Sequence, residues 1–157
     1  MFKPRVSNVA AVTRNDRETT LELDYHADTS VLENGSLIVA DFNEPVNMQV
    51  NDPALGTKTD RTITGSVGYC EPLTGNSSHL VIHQAIYIPN LDHHLLCPMQ
   101  CSVAGVDING CPNFLTNFPQ ENSHCIITKD EYGSRTVLPL ALQGVTSVLN
   151  VLKITEA

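Results

Sequence analysis

Between Arg61 and Tyr69 the side chains alternate at period two. Ile63, Gly65, Val67 and Tyr69 share one face, and Thr62, Thr64 and Ser66 share the other. A period of two is the mark of a half-buried strand, because successive side chains leave opposite faces of a sheet. The same period recurs at Leu21 and Leu23, set against Thr20, Glu22 and Asp24, and again at Val46, Met48 and Val50. Ser36–Asp41 is a short apolar run of the kind that forms a buried strand. The chain therefore reads as mostly β.

Turn chemistry divides these runs. Pro45 is expected to interrupt the strand after Asp41, and 51–56 (Asn-Asp-Pro-Ala-Leu-Gly) reads as a turn. Pro72–Ser77 is a strong turn, and His79–Ile88 resumes as a long strand. Together they predict a hairpin pairing Ile63–Tyr69 with Leu80–Ile88. Gly65 and Gly68 point to a bend or a close backbone approach. A short helix is expected to carry Leu95, Leu96 and Met99 into the core, with Pro98 in its first turn. Gly105–Gly110 reads as strand and turn, and 111–122 as a loop. His124–Thr128 and Arg135–Leu142 read as a second hairpin, Gly144 as a turn and Val145–Ile154 as a last strand. Val9–Val12 is a candidate short strand near the start.

The chain has 157 residues, 41% of them hydrophobic and 17% charged. That suits a single domain over 1–157 with its own core. Residues 1–17 read as a flexible or interface arm. A net charge of −8 argues against nucleic-acid binding by phosphate neutralisation. No apolar run is long enough to span a bilayer, and Met1–Thr13 has no signal-peptide pattern. A cytoplasmic protein, in contact with neither membrane nor nucleic acid, is the expectation.

The five cysteines, Cys70, Cys97, Cys101, Cys111 and Cys125, are odd in number and irregular in spacing. No Cys-x-x-Cys occurs, so buried thiols in a reducing compartment are expected. No metal and no cofactor are expected. His79 and His83 share a strand face, but four residues of strand separate them by roughly 13 Å. His93 and His94 adjoin, so their side chains diverge.

The chemistry concentrates where the strand at Leu21–Leu23 ends. Asp24-Tyr25-His26-Ala27-Asp28-Thr29-Ser30 is a short polar turn closed by Val31-Leu32. A carboxylate at the end of an apolar strand is a candidate acid or base. The structural alternative is a turn aspartate whose side chain bonds nearby backbone N–H groups.

The stretch resembles the active-site loop of retropepsin-like aspartic proteases, which reads apolar-apolar-Asp-Ser/Thr-Gly-Ala-Asp/Ser-Thr. Asp24 falls on the catalytic Asp and Ala27 on the family Ala. Asp28 falls on the acidic position that follows. Tyr25 stands where the family has a small hydroxyl residue that helps lock two catalytic loops together, and His26 stands where it has Gly. A second stretch, Tyr87-Ile88-Pro89-Asn90-Leu91-Asp92-His93-His94-Leu95-Leu96-Cys97-Pro98-Met99-Gln100-Cys101, is similar to the Tyr-apolar-Pro-x-Leu-x-x-Asn-Leu-Leu-Ser-apolar-x-Gln-Leu motif downstream of the protease loop in copia-type retrotransposon polyproteins.

The resemblance implies a retropepsin-like closed β-barrel or sandwich with a flap hairpin and one short helix. It implies an aspartic endopeptidase that processes a retrotransposon polyprotein, active as a homodimer with one Asp24 per subunit. His26, Ala27, Asp28 and Thr29 would meet an extended polypeptide substrate. Leu73, Thr74, Gly75 and Asn76 are the flap candidates. The alternative is a catalytically inactive domain of the same descent, serving as a β-rich binding or self-assembling module.

Overall fold

The computed structural model describes residues 2–6, 18–49, 57–112, 115 and 123–154, with backbone alone over 2–6, 43–49 and 57–60. It is mostly β. Among the described residues twelve strands and one helix follow in the order β1 (Phe2–Val6), β2 (Glu18–Leu23), β3 (Val31–Leu32), β4 (Leu37–Gln49), β5 (Thr57–Cys70), β6 (Ser77–Tyr87), β7 (His94–Leu96), α1 (Pro98–Val103), β8 (Asp107–Asn109), β9 (Cys125–Lys129), β10 (Arg135–Pro139), β11 (Ala141–Gln143) and β12 (Thr146–Leu152).

Nine strands form one sheet in the order β1-β6-β3-β7-β2-β12-β5-β4, with β11 on β12, and β10-β9-β8 form a second sheet. The first sheet returns on itself, because β6 also pairs β5. The pairings β6-β3-β7-β2-β12-β5 thus make a ring. Its thinnest links are the single pairs Leu152↔Gly68 and Val31↔Leu95. A Cβ on Gly68 would stand 3.1 Å from the Cβ of Leu152, so glycine permits that approach. Gly65 serves in the same way, since a Cβ there would stand 2.4 Å from Leu32 Cδ1.

The ring encloses Leu21, Leu23, Leu32, Ile63, Val67, Leu80, Ile82, Leu96 and Leu149. Ile126 and Leu138 of the second sheet join the same apolar cluster. Removing one methylene from this packing leaves a small void. Ile63→Val is expected to lower unfolding stability by about 1 kcal/mol, read from the urea midpoint. An unchanged midpoint would place Ile63 outside the core.

The hairpin expected from the alternation is present, with Ile63↔Ala85 and Tyr69↔Ser78 paired between β5 and β6. Several other expectations change. Pro45 does not interrupt: β4 runs through it, with a register shift between Asp41 and Pro45. Proline is tolerated there because β4 is an edge strand and the shift removes the demand for its missing N–H. Arg135–Leu142 is not one strand. It divides at Leu140, whose N–H donates to the His124 carbonyl, so β10 stays in the small sheet and β11 joins the large one.

The helix begins at Pro98, in its first turn as expected, and Cys97 caps it. Leu95 and Leu96 belong to β7 instead, and Met99 points outward, 76% exposed. A six-residue helix offers only one inward stripe, and Pro98 and Cys101 occupy it. Phe2–Val6 of the arm is a strand on β6. Val9–Val12, the 51–56 turn and most of the 111–122 loop lie outside the described residues. Among the described residues no helix is long and apolar enough to cross a membrane.

Candidate active site

β2 runs parallel to β7, with Leu23 opposite Leu96. Asp24 continues that pairing by donating its N–H to the Leu96 carbonyl at 3.0 Å. The chain then turns. Asp24 Oδ1 accepts the N–H of His26 at 2.9 Å, and the Asp24 carbonyl accepts the N–H of Ala27 at 3.3 Å. This is the side-chain-to-backbone turn open to any aspartate at a strand end. It uses one carboxylate oxygen. Among the described residues Oδ2 has no hydrogen-bond partner, and Asp24 is only half-buried. The site thus keeps one oxygen free beside solvent on a turn of fixed shape.

What fixes the turn is mostly Ser30, which is buried. Its Oγ accepts the N–H of Cys97 at 2.9 Å. Its N–H donates to Gln100 Oε1 at 3.0 Å, and its carbonyl accepts from Ile86 N–H at 2.9 Å. The Cys97 thiol adds a bond to the Ala27 carbonyl at 3.1 Å.

Gln100 reaches further. Its Nε2 donates to the Gln84 carbonyl at 3.1 Å. Gln84 sits in a bulge of β6, where the register against β5 shifts between Ile63 and Gly65, and its φ is +57°. A left-handed residue turns its carbonyl out of the ladder, and the Gln100 amide takes that carbonyl. Substituting Ser30 by Ala leaves the Cys97 N–H buried without an acceptor. The expected cost is about 2 kcal/mol, measured by urea unfolding. No loss of stability would mean that Ser30 does not anchor the turn.

Of the residues expected at the site, Asp24, His26, Ala27, Asp28 and Thr29 share this turn. His26 and Asp28 are exposed, and Ala27 and Thr29 half-buried. It is the His26 backbone, not its imidazole, that contacts the Asp24 carboxylate. Among the described residues no hydrogen bond joins the flap candidates to the Asp24 turn. Leu73, Thr74, Gly75 and Asn76 form the exposed tip beyond the Cys70↔Ser77 pair. Within the tip, Glu71 accepts the N–H groups of Leu73 and Thr74, and Gly75 takes φ +72°. These bonds hold Glu71 below its usual carboxylate range, the Thr74 side chain contributing most.

His79 and His83 have separate partners. Each turns its Nδ1 to a hydroxyl of β5, His79 to Ser66 at 3.2 Å and His83 to Thr64 at 3.1 Å. No group of histidines, cysteines and carboxylates that could hold a metal occurs among the described residues. Cys97 and Cys101 are thiols, and burial pushes Cys101 up to about 12.

Beside the turn, His94 is fully buried on β7. Its Nδ1 accepts the N–H of Glu33 at 3.1 Å, so its proton is on Nε2. Nε2 lies 3.3 Å from Glu33 Oε1 but forms no hydrogen bond with it. Burial first, then the nearby His93 and Lys153, push His94 from 6.5 down to about 4. Comparison with family models, with curated proteins and with solved structures finds no match to this chain.

Proposed function

We propose that the chain is a retropepsin-like aspartic endopeptidase that acts as a homodimer on an extended polypeptide, the polyprotein of a copia-type retrotransposon. One observation carries this reading. Asp24 ends a core strand on a turn tied to three neighbouring elements, with one carboxylate oxygen unclaimed. The strand ring and, among the described residues, the one short helix agree with the barrel that the resemblance implies.

Peptide hydrolysis through water needs a base for the water and an acid for the carbonyl oxygen. A single carboxylate cannot serve as both in one step. A two-fold axis would supply the second from Asp24 of another copy. Two carboxylates at contact share one proton, because both cannot ionise there. The ionised member takes a proton from water, the water attacks the peptide carbonyl, and the protonated member donates to the oxygen. His26, Ala27, Asp28 and Thr29 border this centre and are assigned to the substrate backbone. Leu73–Asn76 has no part in this proposal.

The test is cleavage of an unfolded polypeptide at mildly acid pH, with and without a pepstatin-type inhibitor. Inhibitable cleavage is the expected result; no cleavage, or cleavage indifferent to the inhibitor, contradicts the reading. The inactive binding module has one observation in its favour: Tyr25 holds no small hydroxyl where the family locks its loops. A stable dimer that never cleaves would select it.

A further inference from the structure

Tyr25 is 64% exposed, and its phenol lies over Gly110. A Cβ built on Gly110 would stand 2.1 Å from Tyr25 Oη and 3.2 Å from its Cζ. No side chain fits at 110 while the phenol is there. Gly110 is not at positive φ, so its backbone does not require glycine; what a Cβ there would meet is the tip of the Tyr25 side chain, which would have to move aside.

Gly110 is itself held. Ser147 Oγ, at the start of β12, donates to the Gly110 carbonyl at 3.1 Å. That bond uses the only hydroxyl proton, so the 2.8 Å contact with His124 Nε2 takes a proton from the histidine. Both side chains are buried. Burial also lowers His124, favouring the neutral ring. His124 stands just before β9, with φ +54°. The seat therefore combines the end of β8, the approach to β9 and the start of β12.

We infer that β8, β9 and β12 act as a seat for Tyr25, and that Tyr25 and Gly110 are a size-matched pair of positioning residues for the Asp24 turn. The chemical logic is local. The turn has only five residues between Asp24 and Ser30. Ser30 and Ala27 are pinned from the β7–α1 side. Tyr25 pins the opposite side through its ring. A small hydroxyl residue at 25 could not reach Gly110, so the seat and the tyrosine belong together. This inference builds on the proposed activity for its kinetic readout alone.

The experiment is a double-mutant cycle on the full chain, using Gly110→Ala, Tyr25→Phe and the double variant. Alanine evicts the phenol; phenylalanine removes the Oη that meets the new methyl. Gly110→Ala is expected to move the amide resonances of Asp24, His26 and Ala27. It should lower kcat about tenfold with KM changed less than about twofold, and the double variant should recover most of both effects. Unmoved turn amides in Gly110→Ala, or effects that add in the double variant, would overturn the seat. If the unaltered chain cleaves nothing, the protease reading fails by itself, and the amide shifts still decide on the seat.

Discussion

Asp24→Asn is expected to abolish peptide cleavage while leaving the fold intact. The amide keeps the shape of the carboxylate, and its oxygen can still accept the His26 N–H that closes the turn at 2.9 Å. What it loses is the ability to take or give a proton at the free oxygen. In a symmetric dimer both copies lose it together. Loss of general acid–base chemistry costs typically 10²- to 10⁴-fold, so a fall of about 10³-fold or more is expected. The urea midpoint should shift little, since the turn's other bonds run through Ser30, Cys97 and Gln100. Cleavage that persists at the original rate would exclude Asp24 as the catalyst.

The second large effect is on stability as the pH falls. His94 binds its proton at 6.5 when unfolded and at about 4 when folded. Between those values the unfolded chain holds more protons than the folded one. Stability from this group is thus complete above 6.5 and is lost as pH drops towards 4. The full interval corresponds to about 3 kcal/mol. The geometry accounts for the direction. Protonation would place an N–H at Nδ1, facing the Glu33 N–H that now donates to it. It would also charge a ring with no exposure to solvent.

The measurement is urea unfolding at pH 7 and pH 4.5, with the difference between the unaltered chain and His94→Asn taken at each pH. That difference should favour the histidine more strongly at pH 7. A difference that does not change with pH would mean that Glu33, 3.3 Å away, pairs with the protonated ring and cancels its cost. Activity assays on the acid side therefore report folding as well as chemistry, and pH 5 to 6 is the useful window.

Much of the β framework can be read from short-range pattern. Ile63 to Tyr69 declares its inward face by alternation, and the Pro72–Ser77 turn declares its partner. The readings that changed depend on what lies beside a segment. Pro45 looks like a stop until β4 proves to be an edge strand. Arg135–Leu142 looks continuous until Leu140 is drawn to His124. Nothing local tells that β12 enters between β2 and β5, because such pairings join distant residues.

The site divides in the same way. The candidate turn was legible from Asp24, Ala27 and Asp28 as a contiguous motif. Its bracing was not. Ser30 and Gln100 lie 70 positions apart, and Gln84 adopts a left-handed backbone that its residue type does not announce. Gln100 did carry a signal, as the Gln of the downstream motif. Tyr25 and Gly110 were visible only as a departure from a pattern and a turn glycine. Their relation exists in space alone. The tip at Leu73–Asn76 drew attention because its turn chemistry is strong, but strong turn chemistry speaks to a hairpin and not to what the hairpin faces.

The most direct measurement of the whole account is the activity of mixed subunits. Unaltered chains and Asp24→Asn chains are allowed to exchange at fixed total concentration, and cleavage is followed as the unaltered fraction falls. One acid from each of two copies predicts activity proportional to the square of that fraction. Activity that falls only in direct proportion would show each chain working alone, and would contradict a catalytic centre built from two symmetry-related aspartates.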